Sequence, residues 1–538
     1  MKNKKLFGKV AIALSLVIGL SSCAQGGSNK GQSKSGSNEQ GSNEKVTISF
    51  FDKNSGSKTF DDDIAKEIMK KTGVEIKVEN PSGDPTEKLN LMLTGQNYPD
   101  IVLMDRGDQI VNRYIEADAL IPLNDLIDQH SEHIKPMYGE VLNKSRHTDG
   151  KNYYLNNWYG VDPDASAGVL MRKDLLSEIV GEERANDPSP FTQNEYIDIL
   201  KQFKARHPEI NGKESIALTL DADSKNYEGT LFGMYGLKVY DKLEDGTLQF
   251  KEKNPEYKKA ISFLNGLFND GLLDRKWASM NKEQWTQELS SGHVFSTFAS
   301  YWDTDAVNTA LSSTIGENAK FYSYKVVPEG VSADKTTYNG RSTLGWDAIA
   351  ITKNCKNPEA AIKLIDFLVS EEGQYLMMWG IEKKHWTYDE NNVHVPNEDI
   401  VKGFQDDFNG TSLETGIRKW TWFIKNGKGS DGTPYDMATK YHLQPTAEFA
   451  NKVFSESDFY DTADYAGLEP AGSSPEGLKY QRLLDIRTKT FPNLVNSDGS
   501  KLESLYQNMI QEMNASGLEE IEKLISNKYQ ERMEMWKK

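Results

Sequence analysis

The sequence has very little cysteine, and this excludes a fold built on disulfides. Its 538 residues contain two cysteines, Cys23 and Cys355. If Cys23 carries a covalent modification, no disulfide can form within the chain. Cys355 lies in the segment ITKNCKN, which is typical of a structural thiol at a strand-to-helix turn.

Familiar catalytic motifs and an excess of positive charge are both missing. There is no HExxH, no GxSxG, no Walker A loop and no GxGxxG after a strand. A glycosidase is not excluded, since it needs only two carboxylates that the fold brings together. The 80 Asp and Glu outnumber the 63 Lys and Arg, giving a formal net charge of −17. Nucleic acid is therefore not expected as a partner.

Long hydrophobic runs are also scarce, and the one apolar run near the start is short. Val10 to Leu20 follows lysines at positions 2, 4, 5 and 9. This layout is typical of a secretory signal, because the run is too short to span a bilayer comfortably. No second stretch approaches membrane-spanning length.

The residues after this run indicate a lipid anchor and a tether. Leu20-Ser21-Ser22-Cys23 resembles the bacterial lipobox, in which the cysteine is lipidated and becomes the first residue of the mature protein. The resemblance implies a signal peptide over residues 1–22 and attachment to the extracytoplasmic face of a bacterial cell membrane; an ordinary signal peptide ending near a cysteine is the alternative. Residues 24–45 lack large apolar side chains, so residues 23–45 are predicted to form a disordered tether.

From Val46 onward, strand and helix patterns alternate. The predicted order is strand Val46 to Phe51, helix Asp61 to Lys71 ended by Gly73, strand Val74 to Glu79, helix Pro85 to Thr94 and strand Ile101 to Met104. This alternation predicts an α/β fold with mostly parallel sheets, in which ligands lie beyond the carboxyl ends of the strands. The remaining length, about 490 residues, suits two lobes better than one core.

Local signals mark further elements. Thr192 and Glu195 have the spacing of a capping box for a helix from Gln193 to Arg206, and Pro358 can start a helix after Asn357. Strands are expected over Val294 to Ala299 and Ala348 to Thr352. The C-terminal pattern predicts one helix over Lys501 to Trp536.

Several segments resemble one known family. They are TEKLNLMLTGQNYPDIVLMD, YIEADALIPLNDLID, DGKNYYLNNWY, VLMRKDLL and KNPEAAIKLIDFLVSEEGQYLMMWGIE. In this order they resemble the cluster 1 extracellular solute-binding proteins that bind sugars for ABC importers, in the large lipoprotein branch. The resemblance covers nearly all of Val46 to Trp386. Two departures occur: no Pro closes the DGK element, and Leu175 stands where the family usually has Trp.

The resemblance implies a periplasmic-binding-protein-like fold of two hinged lobes. Residues 46–160 are expected in lobe 1, residues 161–340 mainly in lobe 2, and residues 341–538 in a return to lobe 1 with hinge crossings and a C-terminal helical region. It also implies a monomer that captures an oligosaccharide by closing around it and delivers it to membrane permease subunits. The alternatives are a cell-surface glycan-degrading enzyme and a lipoprotein receptor for a peptide or another solute.

Candidate ligand-binding residues combine aromatic rings with amides or carboxylates, because a sugar offers an apolar face and a rim of hydroxyl groups. This combination occurs three times, at Asn157-Trp158, Tyr301-Trp302-Asp303 and Trp346-Asp347. Further candidates near predicted strand ends are Lys53, Asn54, Asp105, Arg106 and Arg341, and Trp386 is a further aromatic candidate. Whether Trp420 and Trp422 reach the cleft is left open.

No catalytic residue, metal or cofactor is expected. The alginate-binding relatives carry a calcium loop where this chain has HPEINGKES, which lacks the leading Asp and a dense set of oxygen ligands. The loop near Asp221 and Asp223 lacks the turn Gly. The acidic balance argues mildly against polyuronates as cargo, although local Lys and Arg could override a global charge.

Overall fold

Two larger β-sheets with helices on their faces, together with five two-stranded sheets, make up the described part of the chain. The computed structural model describes residues 46–54, 56–161, 164–441, 445–455, 458–470, 472 and 474–537. Within these residues the strands are β1 (Val46–Phe51), β2 (Val74–Glu79), β3 (Ile101–Asp105), β4 (Leu155–Asn157), β5 (Gly168–Arg172), β6 (Phe191–Thr192), β7 (Glu209–Ile210), β8 (Lys213–Glu214), β9 (Ile216–Thr219), β10 (Tyr240–Lys242), β11 (Leu248–Phe250), β12 (Val294–Ala299), β13 (Phe321–Tyr324), β14 (Val326–Val327), β15 (Asn339–Arg341), β16 (Asp347–Ile351), β17 (Trp386–Tyr388), β18 (His394–Pro396) and β19 (Phe459–Asp461).

Helices alternate with the strands and then dominate the C-terminal part. Over the same described ranges they are α1 (Asp63–Thr72), α2 (Pro85–Gly95), α3 (Ile110–Glu116), α4 (Asn124–His130), α5 (Ile134–Tyr138), α6 (Glu140–Lys144), α7 (Lys173–Val180), α8 (Glu182–Asn186), α9 (Gln193–Arg206), α10 (Tyr227–Met234), α11 (Pro255–Asn269), α12 (Lys282–Ser290), α13 (Asp305–Thr314), α14 (Pro358–Val369), α15 (Glu371–Trp379), α16 (Glu398–Asp406), α17 (Phe408–Thr415), α18 (Met437–Tyr441), α19 (Pro445–Val453), α20 (Pro475–Val495), α21 (Leu502–Ala515) and α22 (Leu518–Trp536).

The expected signal peptide, Cys23 and the tether lie outside the described residues. In the part of the chain that is described, no helix is both long enough and apolar enough to cross a membrane.

The first sheet has the strand order β2-β1-β3-β16-β4. β1 pairs in parallel with β2 and β3, while β16 pairs antiparallel with β3 and β4. Ile101 and Leu103 of β3 face one core with Ile362 of α14, and Val102 and Met104 face a second cluster together with helices α2 and α3. Because both faces are covered, β3 is a continuous apolar run rather than an alternating one.

The second sheet has the strand order β13-β5-β12-β9 and is also covered on both faces. β12 pairs antiparallel with β5 and in parallel with β9. All six residues of β12 are buried. Phe295 and Phe298 pack on the side of α9, and Val294 and Ala299 pack with Trp285 of α12. The chain is therefore α/β with two separate sheet cores, as expected.

Strand pairing is mixed, which differs from the mostly parallel sheets expected. β5 is the first strand after the chain leaves the first sheet, and it runs opposite to both of its neighbours. β16 is the strand that re-enters the first sheet, and it too is antiparallel to its neighbours. The strand that follows each crossing between the sheets runs antiparallel to its neighbours. The alternation of strands and helices in the sequence does not show this change of direction.

The local folding signals are confirmed at several element ends. Thr192 and Glu195 form the predicted capping box: the Glu195 N–H donates to Thr192 Oγ1 over 3.2 Å, and the Thr192 N–H donates to Glu195 Oε2 over 2.6 Å. Pro358 is the first residue of α14. Gly73 ends α1 with φ of 69°, a left-handed conformation that favours glycine.

The C-terminal helices pack into the core of the second sheet. Leu483 of α20, Met509 of α21 and Ile521 of α22 share one buried cluster with Leu264 of α11. The prediction of a single helix over Lys501 to Trp536 is wrong. α21 ends at Ala515 and α22 begins at Leu518, because Gly517 between them adopts φ of 97°.

Candidate functional site

A cleft of about 990 Å³ lies between the two sheets, at the ends of their strands. Asp105 is the last residue of β3 and Arg106 follows it, Trp158 comes directly after β4, and Trp302 comes shortly after β12; all four line the cleft. Trp346 lines it immediately before β16. Such a position, outside the ends of the strands, is where α/β proteins usually bind ligands.

Two stacked indole rings form the wall on the first sheet's side. Trp158 and Trp346 have ring centroids 5.7 Å apart and an interplanar angle of 15°. Trp346 is 45% exposed and lines the cleft. Gly345 allows the backbone before Trp346 to lie close to the backbone of Asn157 and Trp158. Its φ is 59°, and a Cβ there would stand 1.9 Å from the Asn157 carbonyl oxygen.

Trp302 faces the cleft from the second sheet's side. It is 37% exposed and lies edge-to-face on the ring of Tyr301, with centroids 4.9 Å apart. The guanidinium of Arg341 lies 5.3 Å from the centroid of the Trp302 ring, within range of a cation–π interaction. Indole faces are therefore offered to the cleft from both of its walls.

Two candidates beside Trp302 support the turn that carries it and do not line the cleft. Asp303 accepts from the Ser300 N–H and from Asn226 Nδ2, each over 3.0 Å, and so closes the turn from Tyr301 to Thr304. Tyr301 is 8% exposed, and its hydroxyl donates to Asp164 over 3.3 Å. Their side chains position the indole.

A second group of candidates forms a polar cluster around the buried residues Asp347 and Asn157, on the first sheet's side. Asp347 is fully buried and lies 2.9 Å from both Lys53 Nζ and Asn54 Nδ2. Burial raises the pKa of Asp347, while Lys53 acts in the opposite direction. Asn157 is also buried; its amide donates to the Thr421 carbonyl over 2.7 Å. Asn54 is exposed and Lys53 half-buried, and none of these four candidates lines the cleft.

Three other tryptophans considered from the sequence, Trp386, Trp420 and Trp422, lie in a core. Trp386 is 6% exposed, donates its indole N–H to the Gly380 carbonyl over 2.8 Å and packs on His394. Trp386 therefore does not line the cleft. Trp420 and Trp422 are buried as well, with their indole N–H groups on the carboxylates of Asp62 and Asp52.

A loop that sequence reasoning missed supplies further cleft residues. Lys425, Asn426 and Lys428 line the cleft. The loop is attached beside β4, since the Tyr159 N–H donates to the Ile424 carbonyl over 3.1 Å and the Asn426 N–H donates to the Tyr159 carbonyl over 2.7 Å. No local motif marks this loop, because its position depends on pairing between residues more than 260 apart.

Comparison with known proteins places the chain in a family. The model of the family described as bacterial extracellular solute-binding protein matches residues 63–381, which is more than half of the chain. The chain belongs to this family. The resemblance drawn from the sequence motifs is thereby confirmed.

Two relatives and one solved structure show how far the likeness extends. The fructooligosaccharide ABC transporter substrate-binding protein of Streptococcus pneumoniae is 26% identical over 349 residues, and the match spans 60% of each chain. The polygalacturonan/rhamnogalacturonan-binding protein of Bacillus subtilis is 24% identical over 70% of this chain and 73% of its own. The solved HMO-binding, ABC-transporter-associated solute-binding protein of Bifidobacterium longum infantis is 17% identical, with a TM-score of 0.63, and covers 90% of this chain and 99% of its own. That structure shares the fold.

Proposed function

We propose that this protein is the substrate-binding component of an ABC importer and that its ligand is an oligosaccharide. One observation carries the proposal: Trp158 and Trp346 on one side and Trp302 on the other line the same cleft. A sugar ring offers an apolar C–H face that stacks on an indole, and a ring held between the two walls contacts both lobes. The cleft volume of about 990 Å³ lies at the upper end of ligand sites, which suits several sugar units.

The relatives support the same ligand class. By their names, one relative serves fructooligosaccharide transport and another binds polygalacturonan and rhamnogalacturonan. Both are solute-binding proteins, and we propose that this chain likewise binds its glycan without cleaving it.

Transport follows from closure of the cleft. A ligand that touches both walls stabilises the closed arrangement, whereas a ligand that touches only one wall leaves the equilibrium unchanged. The permease subunits would then recognise the closed form. We propose that a monomer acts in this way at the extracytoplasmic membrane face, held there by lipid on Cys23.

Calorimetric titration with neutral and acidic oligosaccharides tests the proposal, together with an assay for new reducing ends. The expected result is one bound glycan per protein and no new reducing ends after prolonged incubation. Release of reducing ends would establish the glycan-degrading alternative. Binding of peptides with no response to any glycan would establish the peptide-receptor alternative.

A further inference from the structure

The cleft reverses the charge balance of the chain. Among the described residues that line it, seven are Lys or Arg and four are Asp or Glu. Over the whole sequence, acidic residues outnumber basic ones by 80 to 63. A cleft whose walls carry one sign of charge concentrates the field and attracts ligands of the opposite sign.

Two of the four carboxylates that line the cleft form ion pairs with Lys or Arg side chains that also line it. Glu228 lies 3.5 Å from Lys251 Nζ, and Asp436 forms an ion pair with Arg418. Burial acts against the charge of Glu228, but Lys251 and Arg487 outweigh it and lower the pKa of that carboxyl. These pairs contribute little net charge to the cleft.

Arg106 is a fixed cation held by uncharged groups. Its Nε and Nη2 donate to the Gly345 carbonyl over 3.2 and 2.9 Å, and Nη2 also donates to Ser342 Oγ over 3.1 Å. Within the described part of the chain, no carboxylate lies within 4.0 Å of this guanidinium. The neighbouring Asp105 instead accepts from the Gly107 N–H over 2.9 Å. A guanidinium that is held in place with no carboxylate beside it attracts a ligand carboxylate.

Three lysines add charge on both walls. Lys425 and Lys428 lie on the loop beside β4, and Lys238 lies opposite, 5.5 Å from the centre of the Tyr460 ring. The ammonium groups of these lysines have no carboxylate within 4.0 Å among the residues that the structure describes. Lys425 is partly buried, and burial lowers its pKa, while the more distant Glu371 acts in the opposite direction. A nearby anion would offset that desolvation.

We propose that the oligosaccharide bound in this cleft is anionic and carries carboxylate groups, as chains of uronic acid units do. The inference rests on the proposed function and names the class of its ligand. Arg106 and the loop lysines take the carboxylates, while the indole faces stack on the sugar rings regardless of charge. The net negative charge of the whole chain argues mildly against such a ligand, but the excess of acidic residues lies outside the cleft.

The test is a calorimetric comparison of matched ligands on the full protein. Short oligomers of galacturonate, mannuronate and glucuronate are each compared with their methyl esters, which keep the ring and remove the charge, and with neutral galacto-, fructo- and malto-oligosaccharides. The tightest binder is expected to be a free uronate, with its methyl ester at least about tenfold weaker. Its affinity should fall as salt rises from about 0.05 to about 0.5 M.

Charge-neutral variants locate the effect in the cleft. Lys425→Gln and Lys428→Gln should each weaken the uronate severalfold and leave melting temperature unchanged. Lys402→Gln removes an exposed lysine of α16 outside the cleft and should change nothing. Tightest binding of a neutral glycan, or equal binding of uronate and ester, would overturn the inference while the proposed function stands. Failure of every glycan to bind would overturn the proposed function itself.

Discussion

Removing the Trp302 ring should weaken ligand binding by an amount that its exposed area sets. The side chain is 37% exposed, which is about 90 Å² of an indole side chain of about 250 Å². If a sugar covers all of this area, the loss at about 25 cal/mol per Å² is about 2 kcal/mol. That corresponds to roughly a 30-fold rise in Kd for Trp302→Ala, or to roughly fivefold if half the area is covered.

The assay is calorimetric titration of wild type and variants with the tightest-binding oligosaccharide. Trp302→Phe keeps an aromatic face and should lose less affinity than Trp302→Ala. Trp386→Phe alters a buried tryptophan outside the cleft, so it should reduce stability and leave Kd unchanged. An unchanged Kd for Trp302→Ala, in a protein with a native melting temperature, would refute the assignment of this wall.

Three further predictions concern the framework around the cleft. Lys325→Met leaves Asp458 buried without its cation, 2.8 Å away in the native protein, and should lower the free energy of unfolding by about 3 kcal/mol in urea denaturation. Gly345→Ala forces a Cβ against the Asn157 carbonyl and should lower stability by about 2 kcal/mol or more and weaken glycan binding, measured by melting and calorimetry. Burial, with help from a neighbouring lysine, lowers the pKa of His385 from 6.5 to about 4. The unfolded chain therefore takes up a proton first, and stability should fall by about 1 to 3 kcal/mol as pH drops from about 6.5 to about 4, a loss that His385→Gln removes.

Each of these predictions has a matched control. Lys71→Met breaks the exposed pair with Glu372 and should change stability by less than about 0.5 kcal/mol. Gly266→Ala, in the last turn of α11 where an added Cβ meets no atom within 4 Å, should stabilise by about 0.5 to 1 kcal/mol. In the folded protein, the neutral His385 ring accepts the Ile381 N–H at Nδ1, and protonation of that nitrogen would break the bond. Equal loss of stability on acidification in the wild type and in His385→Gln would contradict this account.

Much of the fold could be predicted because its signals are local. The capping box at Thr192, the proline start of α14 and the left-handed Gly73 are each set by residues within one helical turn. The strand expected over Val294 to Ala299 is β12, with the same bounds. The pairing direction of β5 and β16 was missed because it is set by crossings between distant parts of the chain.

The site was predictable in its aromatic residues and less so in its charges. Trp158, Trp302 and Trp346 all line the cleft. Each lies next to the end of a strand, and α/β proteins bind ligands outside the strand ends. Their polar sequence neighbours Asn157 and Asp347 are buried behind the wall instead, since alternate residues at a strand end point to opposite faces. Lys425 and Lys428 carried no local signal, because a long-range pairing with Tyr159 brings them to the cleft.

A structure of the protein with its tightest-binding oligosaccharide tests the central claim most directly. The account predicts a sugar ring stacked on Trp302 and another on the pair formed by Trp158 and Trp346, so that one ligand bridges both walls. A ligand bound elsewhere, or one that contacts a single wall, would contradict it.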